Sequence, residues 1–519
     1  MADIHQRPGP GGPAPMGRDD IAGLLAGKLG QRRPPAEPPP GPAQPPVGSG
    51  PASAGPASAP RLAGLPGAIP VGWDVIEDLQ AVVSKQLSDN DPDKLLEEAD
   101  RRALAKSLVR TAVADWAAKY AQGNPPLSDD QETAIGAAVF DSMYRGGRLQ
   151  ALLDQEGVED VMVDGLRAHV EYHDRPRQTI EKVADSHEEL ITWVNRMARL
   201  SGHGERSLTQ ATPMVGFRMP DGSRVTASLL TTRPSVVIRR HRIRRHGMTE
   251  LVQWGSINPI LERFLTACVH AKKNILVVGG MGAGKTSLLR ALGREIPPAE
   301  RLVTIESDRE LYLDEPGPKG PLTFAFEARQ SNGEVRGGGD KAGEITIADI
   351  FADGALRYNG TRVIVGEVRS KEILPMLDAM SGGGSGSMCT LHVRRPHAII
   401  GRLVQLCTQA GMNTEASHQL IAASIDVVVY LTYLDETGIG GRKHRFVSTV
   451  YEVHDVVGEG GRPVTTEVFA PQGGELRAVY KNMPTFIDEL ELTGLFDRRW
   501  LTENPYGAWL GPLQTVGAR

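Results

Sequence analysis

The chain has 519 residues, 40% of them hydrophobic and 23% charged, with a net charge of −5; this is enough for two or three domains with cores of their own. The mildly acidic balance removes any bulk electrostatic reason to expect nucleic acid as a partner. Nothing in the chain reaches the length of a membrane span: the longest strongly apolar run, IDVVVYLTYL, is about half of what a spanning helix needs.

The N-terminus lacks a positive start followed by an apolar core, so no signal peptide is expected. Cys268, Cys389 and Cys407 stand in no CxxC spacing and read as buried, reduced thiols of a cytoplasmic protein. Any work at a membrane would pass through a partner.

Residues 1–68 are crowded with Pro, Gly, Ala and Ser. They offer too little apolar surface to offset the entropy of ordering, and they read as a disordered tail. Residues 69–154 carry apolar positions at three- and four-residue spacing, as in LLEEADRRALAKSLVRTAVADWAAKYA, the pattern of a helical region. Ser128 with Gln131 predicts a capping box opening one of its helices. Residues 155–245 mix alternating strands, an amphipathic helix (HEELITWVNRMARLSG) and a hairpin around Pro220-Asp221-Gly222, which predicts a small α+β domain. Over residues 246–435, apolar strands alternate with helices, as in a parallel sheet with crossover helices. Residues 436–519 add strands such as RFVSTVYEVHDVV and a last helix near MPTFIDELELTGLF. They are expected to cover the sheet or to contact a partner.

One stretch carries chemistry by itself. Gly279-Gly280-Met281-Gly282-Ala283-Gly284-Lys285-Thr286 fits G-x-x-x-x-G-K-[ST], after the strand NILVV and before the helix TSLLRALGREI, the context a phosphate-binding loop requires. Its glycines let backbone N–H groups wrap a phosphate, with the following helix N-terminus adding a positive dipole end. Residues Gly279 to Thr286, with Ser287, are the expected ATP contacts. Lys285 would bridge the β- and γ-phosphates and Thr286 would ligate Mg2+.

Two acids follow at strand ends. Glu367 closes the apolar strand RVIVGE and is placed to hold Mg2+. Glu306 ends the strand of RLVTIESDREL, where a carboxylate beside the phosphate-loop strand reaches a water aimed at the γ-phosphate. The strand SMCTLH brings His392 to the same edge, in either a structural or a catalytic role.

The order of these pieces resembles the type II/IV secretion ATPase superfamily, most closely the CpaF-type ATPases of Tad pilus systems, with conjugation-type secretion ATPases nearby. The resemblance covers roughly residues 152–429. It rests on GVEDVMVDG, PDGSRVTA, VVIRRH, NILVVGGMGAGKTSLLRAL, RLVTIESDREL, EITIADIFADGALRYNGTRVIVGEVRS and GSMCTLHVRRPHAIIGRL. It implies an α/β fold with a RecA-like P-loop domain, preceded by the smaller α+β domain and the disordered tail. It further implies a homohexameric ring, cytoplasmic and held at the inner membrane by a platform protein, hydrolysing ATP with Mg2+ to power pilus assembly or secretion.

The same resemblance assigns Glu306 as the water-activating acid, Glu367 to Walker B and His392 to the His box. Arg224 and Arg239 become phosphate-facing arginines, with Arg233, Arg240 and Arg329 as further candidates. This chain departs from the family pattern at Met281 and Ala283 in the loop, at Ser307, at Gly383-Gly384-Ser385-Gly386 and in Val-Arg-Arg after His392. Two other functions stay open: a DNA-translocating motor, with IRRHRIRRH (238–246) as its basic strip, and a non-hydrolysing ATP-binding scaffold ring.

Overall fold

The computed structural model describes residues 71–93, 95–201, 207–240, 246–315, 320–329, 344–504, 509–511 and 513–516. The expected tail at 1–68, the centre of the basic strip at 241–245 and the glycine run at 336–343 lie outside the described residues. From residue 71 onward the described chain belongs to one compact unit.

Helices Trp73–Asn90, Glu98–Tyr120 and Asp129–Tyr144 come first. They close on Ile76, Val83, Val109, Val113, Ile135 and Val139, apolar positions spaced to share one face. The capping box forms as expected: the Gln131 amide donates to Ser128 Oγ at 3.3 Å and the Ser128 amide to Gln131 Oε1 at 2.9 Å.

A six-stranded sheet follows. Its strands are β1 Val158–Asp164, β2 Arg167–Tyr172, β3 Gln178–Ile180, β4 Met214–Arg218, β5 Arg224–Ser228 and β6 Ser235–Arg239, antiparallel in the order β3-β2-β1-β6-β5-β4. Helix His187–Leu200 lays Leu190, Trp193, Val194 and Met197 into the same core. The β4–β5 hairpin turns at Asp221, whose side chain accepts from the Ser223 amide at 2.8 Å.

The larger sheet has nine strands: β7 Ile275–Gly279, β8 Arg301–Glu306, β9 Leu322–Glu327, β10 Arg362–Val368, β11 Met388–His392, β12 Val427–Asp435, β13 Lys443–Val457, β14 Pro463–Gln472 and β15 Glu475–Tyr480. Their order is β15-β14-β13-β12-β7-β11-β10-β8-β9. From β12 across to β9 every pairing is parallel. Helices on both faces explain why β7 is buried at every position and reads as an unbroken apolar run. Helices Pro259–His270 and Lys285–Arg294 pack on one face; Ile373–Ser381, Ile399–Gln409 and Thr414–Ser424 pack on the other. The longest apolar run is β12, and among the described residues no helix is long and apolar enough to cross a membrane.

The strands of 436–519 do not lie over the sheet; they lengthen it. An antiparallel neighbour needs only a tight turn, and β13 returns from the short turn Thr437–Ile439 to pair with β12, satisfying backbone groups that an edge strand would expose. Helix Ile487–Leu492 does cover one face, with Phe486, Ile487, Leu490 and Phe496 joining Phe264 in the core, but it is not the last: helix Arg499–Glu503 follows it.

Two buried polar side chains tie down the amino-terminal ends of central strands, Asn274 before β7 and Arg362 at the start of β10. Asn274, just before β7, donates to the carbonyls of Met380 and Ser424 at 3.0 and 2.8 Å and accepts from the amides of Gly386 and Ser387 at 2.9 and 3.0 Å. Arg362, fully buried, donates to Glu300 at 2.8 and 2.6 Å and to the Val269 carbonyl at 2.7 Å. With its charge paired and its fork hydrogen-bonded, that guanidinium avoids the penalty of an isolated buried cation.

Candidate functional site

Strand register assembles the site. Gly279, the last residue of β7, stands level with His392 of β11 and Leu431 of β12. On the far side of β11, Leu391 pairs with Val368 of β10, and Val365 of β10 pairs with Ile305 of β8. Glu306, Glu367 and His392 therefore reach the carboxyl edge of the sheet beside the phosphate-loop strand, where open parallel sheets bind ligands.

The loop folds as its glycines require. Gly282 and Gly284 have φ of 72° and 90°, left-handed values that cost other residues free energy. Gly284 caps helix Lys285–Arg294 with no side-chain acceptor, so the helix's first N–H groups belong to the loop. Met281 is exposed, whereas Ala283 is fully buried and part of the core. A methyl is well suited there, which gives one of the family departures a packing reason.

Lys285 is enclosed. Its ammonium donates to the Gly280 carbonyl and to His392 Nδ1, both at 3.0 Å. Burial pushes its pKa down to about 8, against the attraction of Glu367. His392 Nε2 lies 3.0 Å from Glu367 Oε1, and Arg369 Nη2 lies 2.6 Å from Glu367 Oε2. Burial by itself would raise the Glu367 pKa; the His392 and Arg369 hydrogen bonds overcome it and hold the carboxyl at about 2.

Glu306 is the opposite case. It is 3% exposed, and burial lifts its pKa to about 8 although the amides of Glu310 and Leu311 both donate to Oε1 at 3.0 Å. Those bonds make Glu306 the anchor of the loop 307–311. The anchored loop carries a further acid, Glu310, whose charge acts on Lys285, Arg239 and Arg369. Sequence reasoning passed over Glu310 because it lies beyond the strand; its four-residue spacing from Glu306 was the available signal.

The arginines divide by partner. Arg218, Arg224 and Arg239 are cross-strand neighbours on β4, β5 and β6, a row of like charges that is unfavourable unless acids face it. Each has one. Arg218 meets Glu327 at the end of β9, Arg224 Nη1 meets Asp308 at 2.9 Å, and Arg239 pairs with Asp160 at 2.9 and 3.2 Å. Arg218 and Arg224 thus reach from the six-stranded sheet to the loops of the larger one. Arg233 pairs with Asp164 at 3.4 Å, and Arg240 donates to the Leu153 carbonyl. Arg329 forms a backbone bridge with Ile345. Arg218 was not among the arginines singled out from the sequence, since only the pairing of β4 with β5 places it in the row.

The model of the type II/IV secretion system protein family matches residues 151–448, more than half of the chain. A Mycobacterium tuberculosis protein named for conjugal transfer is 29% identical over 315 residues, 58% of this chain and 84% of the relative. The type IV secretion system protein PtlH of Bordetella pertussis is 34% identical over 189 residues, 36% of this chain and 52% of PtlH. Among solved structures, the VirB11 ATPase of Brucella suis aligns at a TM-score of 0.30 and 22% identity, over 61% of this chain and 96% of that one. With the phosphate loop and the acids of its sheet edge inside the matched span, this chain belongs to the type II/IV secretion system protein family.

Proposed function

We propose that the chain is a cytoplasmic ATPase of the CpaF type. In this reading it works as a homohexameric ring that hydrolyses ATP with Mg2+ and drives secretion or pilus assembly through an inner-membrane platform protein. The six-stranded sheet is its N-terminal domain, 155–245, and the parallel part of the larger sheet is its RecA-like domain, 246–435. The observation that carries the reading is the convergence of Lys285, His392, Glu367 and the Glu306–Glu310 loop on one sheet edge.

The residues fit the group they would hold. The loop and helix start supply backbone N–H donors and Lys285 an ammonium, a donor set suited to phosphate oxygens. Thr286 offers a hydroxyl and Glu367 an ionised carboxylate, hard oxygen ligands suited to Mg2+. Among the described residues no cluster of three or more His, Cys, Asp or Glu side chains is set to hold a metal; the ion would share its coordination with phosphate oxygens and water. Bound ATP·Mg2+ supplies the γ-phosphoryl bond to be cleaved and neutralises charge as it develops.

Each residue has a distinct task. Lys285 holds phosphate oxygens. Glu367, kept ionised by His392 and Arg369, would hold Mg2+ together with Thr286. Glu306 sets the loop that carries Glu310, and both acids orient the attacking water; Glu310 takes its proton, and Glu306 shares that task only as it ionises near pH 8. Arg224 and Arg239 add positive charge from the smaller domain, which ties turnover to the position of that domain.

The test is steady-state hydrolysis by the purified full chain, wild type beside Lys285→Ala, Glu306→Gln and Glu310→Gln. Turnover by wild type, lost in all three variants, supports the motor. ATP binding without any turnover by an assembled ring supports the scaffold reading instead. The name of the mycobacterial relative gives a DNA-moving motor one specific point in its favour; turnover stimulated by duplex DNA and lost steeply with salt would select it.

A further inference from the structure

Arg445 lies on β13, outside every sequence motif of the site, yet it touches the phosphate loop. Pairing of β12 with β13 sets it opposite Tyr433, with its guanidinium carbon 5.2 Å from that ring's centroid. Nε donates to the Gly282 carbonyl at 2.7 Å. Nη2 holds Glu159 of the six-stranded sheet, at 2.8 Å to Oε1 and 2.9 Å to Oε2. One guanidinium therefore grips the phosphate loop with one nitrogen and the smaller sheet with another.

The contact with Gly282 has a directional consequence. A trans peptide is planar, with its C=O and the next N–H on opposite sides. Holding the Gly282 carbonyl toward Arg445 aims the Ala283 N–H the other way, into the turn of the loop, where it meets the Gly280 carbonyl at 3.4 Å. A methyl group added at the Gly282 Cα would touch nothing within 4 Å, so although Ala283 beside it is packed in the core, residue 282 itself has open space around it. The Arg445 fork supplies a restraint there. It is partly enclosed: Arg445 and Glu159 side chains are 26% and 28% exposed, and Lys443, 3.4 Å from both Glu159 and Glu171, is 6% exposed. Charges so placed are screened by salt less than a surface pair.

We propose that Arg445 is a positioning residue that links the geometry of the phosphate loop to Glu159, so that the grip on a nucleoside triphosphate and the placement of the six-stranded sheet change together. The inference rests on the ATPase reading above. A lysine cannot replace the fork, because a compact ammonium does not reproduce two fixed N–H directions.

The experiment is a double-mutant cycle on the full chain with Arg445→Lys, Glu159→Gln and both together. It measures kcat and KM for ATP, the affinity for a fluorescent ATP analogue, and the thermal midpoint. Each single variant is expected to lower kcat about tenfold, the order of one lost charge-assisted hydrogen bond. The pair together should be no worse than either alone, as members of one linkage behave. Glu159→Gln keeps the shape of the side chain and leaves Lys443 its Glu171 partner, so it carries the test if Arg445→Lys folds poorly. Losses that add, or kcat within about twofold of wild type in Glu159→Gln, overturn the inference while leaving the ATPase reading intact. If wild type shows no turnover, the ATPase reading fails by itself and the cycle is read on analogue affinity: a non-additive loss sustains the linkage, and unchanged affinity overturns it.

Discussion

The Lys285 ammonium sits 3.0 Å from His392 Nδ1, and the same imidazole presents Nε2 to Glu367 at 3.0 Å. The ammonium also lies 3.4 Å from Nε2; because it has only donors to offer and the ionised Glu367 only acceptors, the tautomer that suits both contacts keeps the lone pair on Nδ1. The ring proton is then on Nε2, pointing at the carboxylate. His392 in this tautomer is an acceptor for the phosphate-loop lysine and a donor to Glu367. In the proposed function, a phosphate oxygen entering the loop would compete with His392 and Gly280 for that lysine.

His392→Ala removes a hydrogen bond that holds Glu367 ionised and oriented. If Glu367 holds Mg2+ as proposed, loss of such support typically costs 10–100-fold in metal affinity or activity. The variant is expected to need about 10–100-fold more Mg2+ for half-maximal hydrolysis. A magnesium titration of steady-state turnover checks it, and an unchanged Mg2+ requirement would remove His392 from the site.

Lys285→Met should separate binding from stability. Loss of the charged donor is expected to weaken ATP about 10–100-fold, the range of hydrogen bonds to charged groups. Burial holds the folded-state pKa at about 8, below the 10.5 of a free lysine, so the native state binds fewer protons than the unfolded chain between those values. Wild-type stability should therefore rise with pH from about 8 to 10.5 in a way that Lys285→Met does not share. Thermal melts of both proteins across that window, without nucleotide, test the sign.

Glu306 has the reverse linkage. Its pKa is near 4.5 unfolded and about 8 folded, so between those values the native state holds the extra proton and stability falls as pH rises. Glu306→Gln keeps an oxygen for the Glu310 and Leu311 amides and cannot ionise. It should flatten the decline between pH 4.5 and 8, a difference on the order of a few kcal/mol. Parallel denaturant titrations at pH 5 and pH 8 would show it; equal slopes with pH would refute the assignment.

Gly386 is expected to tolerate no side chain. Its φ is +85°, and a Cβ there would lie 2.5 Å from Arg362 Nη1. Gly386→Ala strains the backbone and pushes the buried guanidinium off Glu300, leaving a charge with poor compensation. A loss of roughly 3–5 kcal/mol follows from breaking such a pair, measurable by chemical denaturation. The altered glycine segment is thus a built turn against Arg362, and a variant as stable as wild type would contradict this.

Much was legible along the chain because it depends on local order. Gly279 to Thr286 between an apolar strand and an amphipathic helix predicts a glycine turn from strand to helix, and that turn forms. The runs around Glu306, Glu367 and His392 announce buried strands with polar ends, and Ser128 with Gln131 opens a helix within four residues. The relations between segments were not legible. Arg445 lies about 160 residues beyond Gly282, and strand order β12-β7-β11 interleaves distant pieces of chain. No periodicity records that β13 lengthens the sheet, that Arg218 joins Arg224 and Arg239 in a row, or that Glu306 holds the loop bearing Glu310. Short-range sterics and hydrogen bonding decide which segments become strands, helices and turns. Pairing register and burial decide which charges meet, and burial is what pushes Glu306 up to about 8 and Lys285 down to about 8.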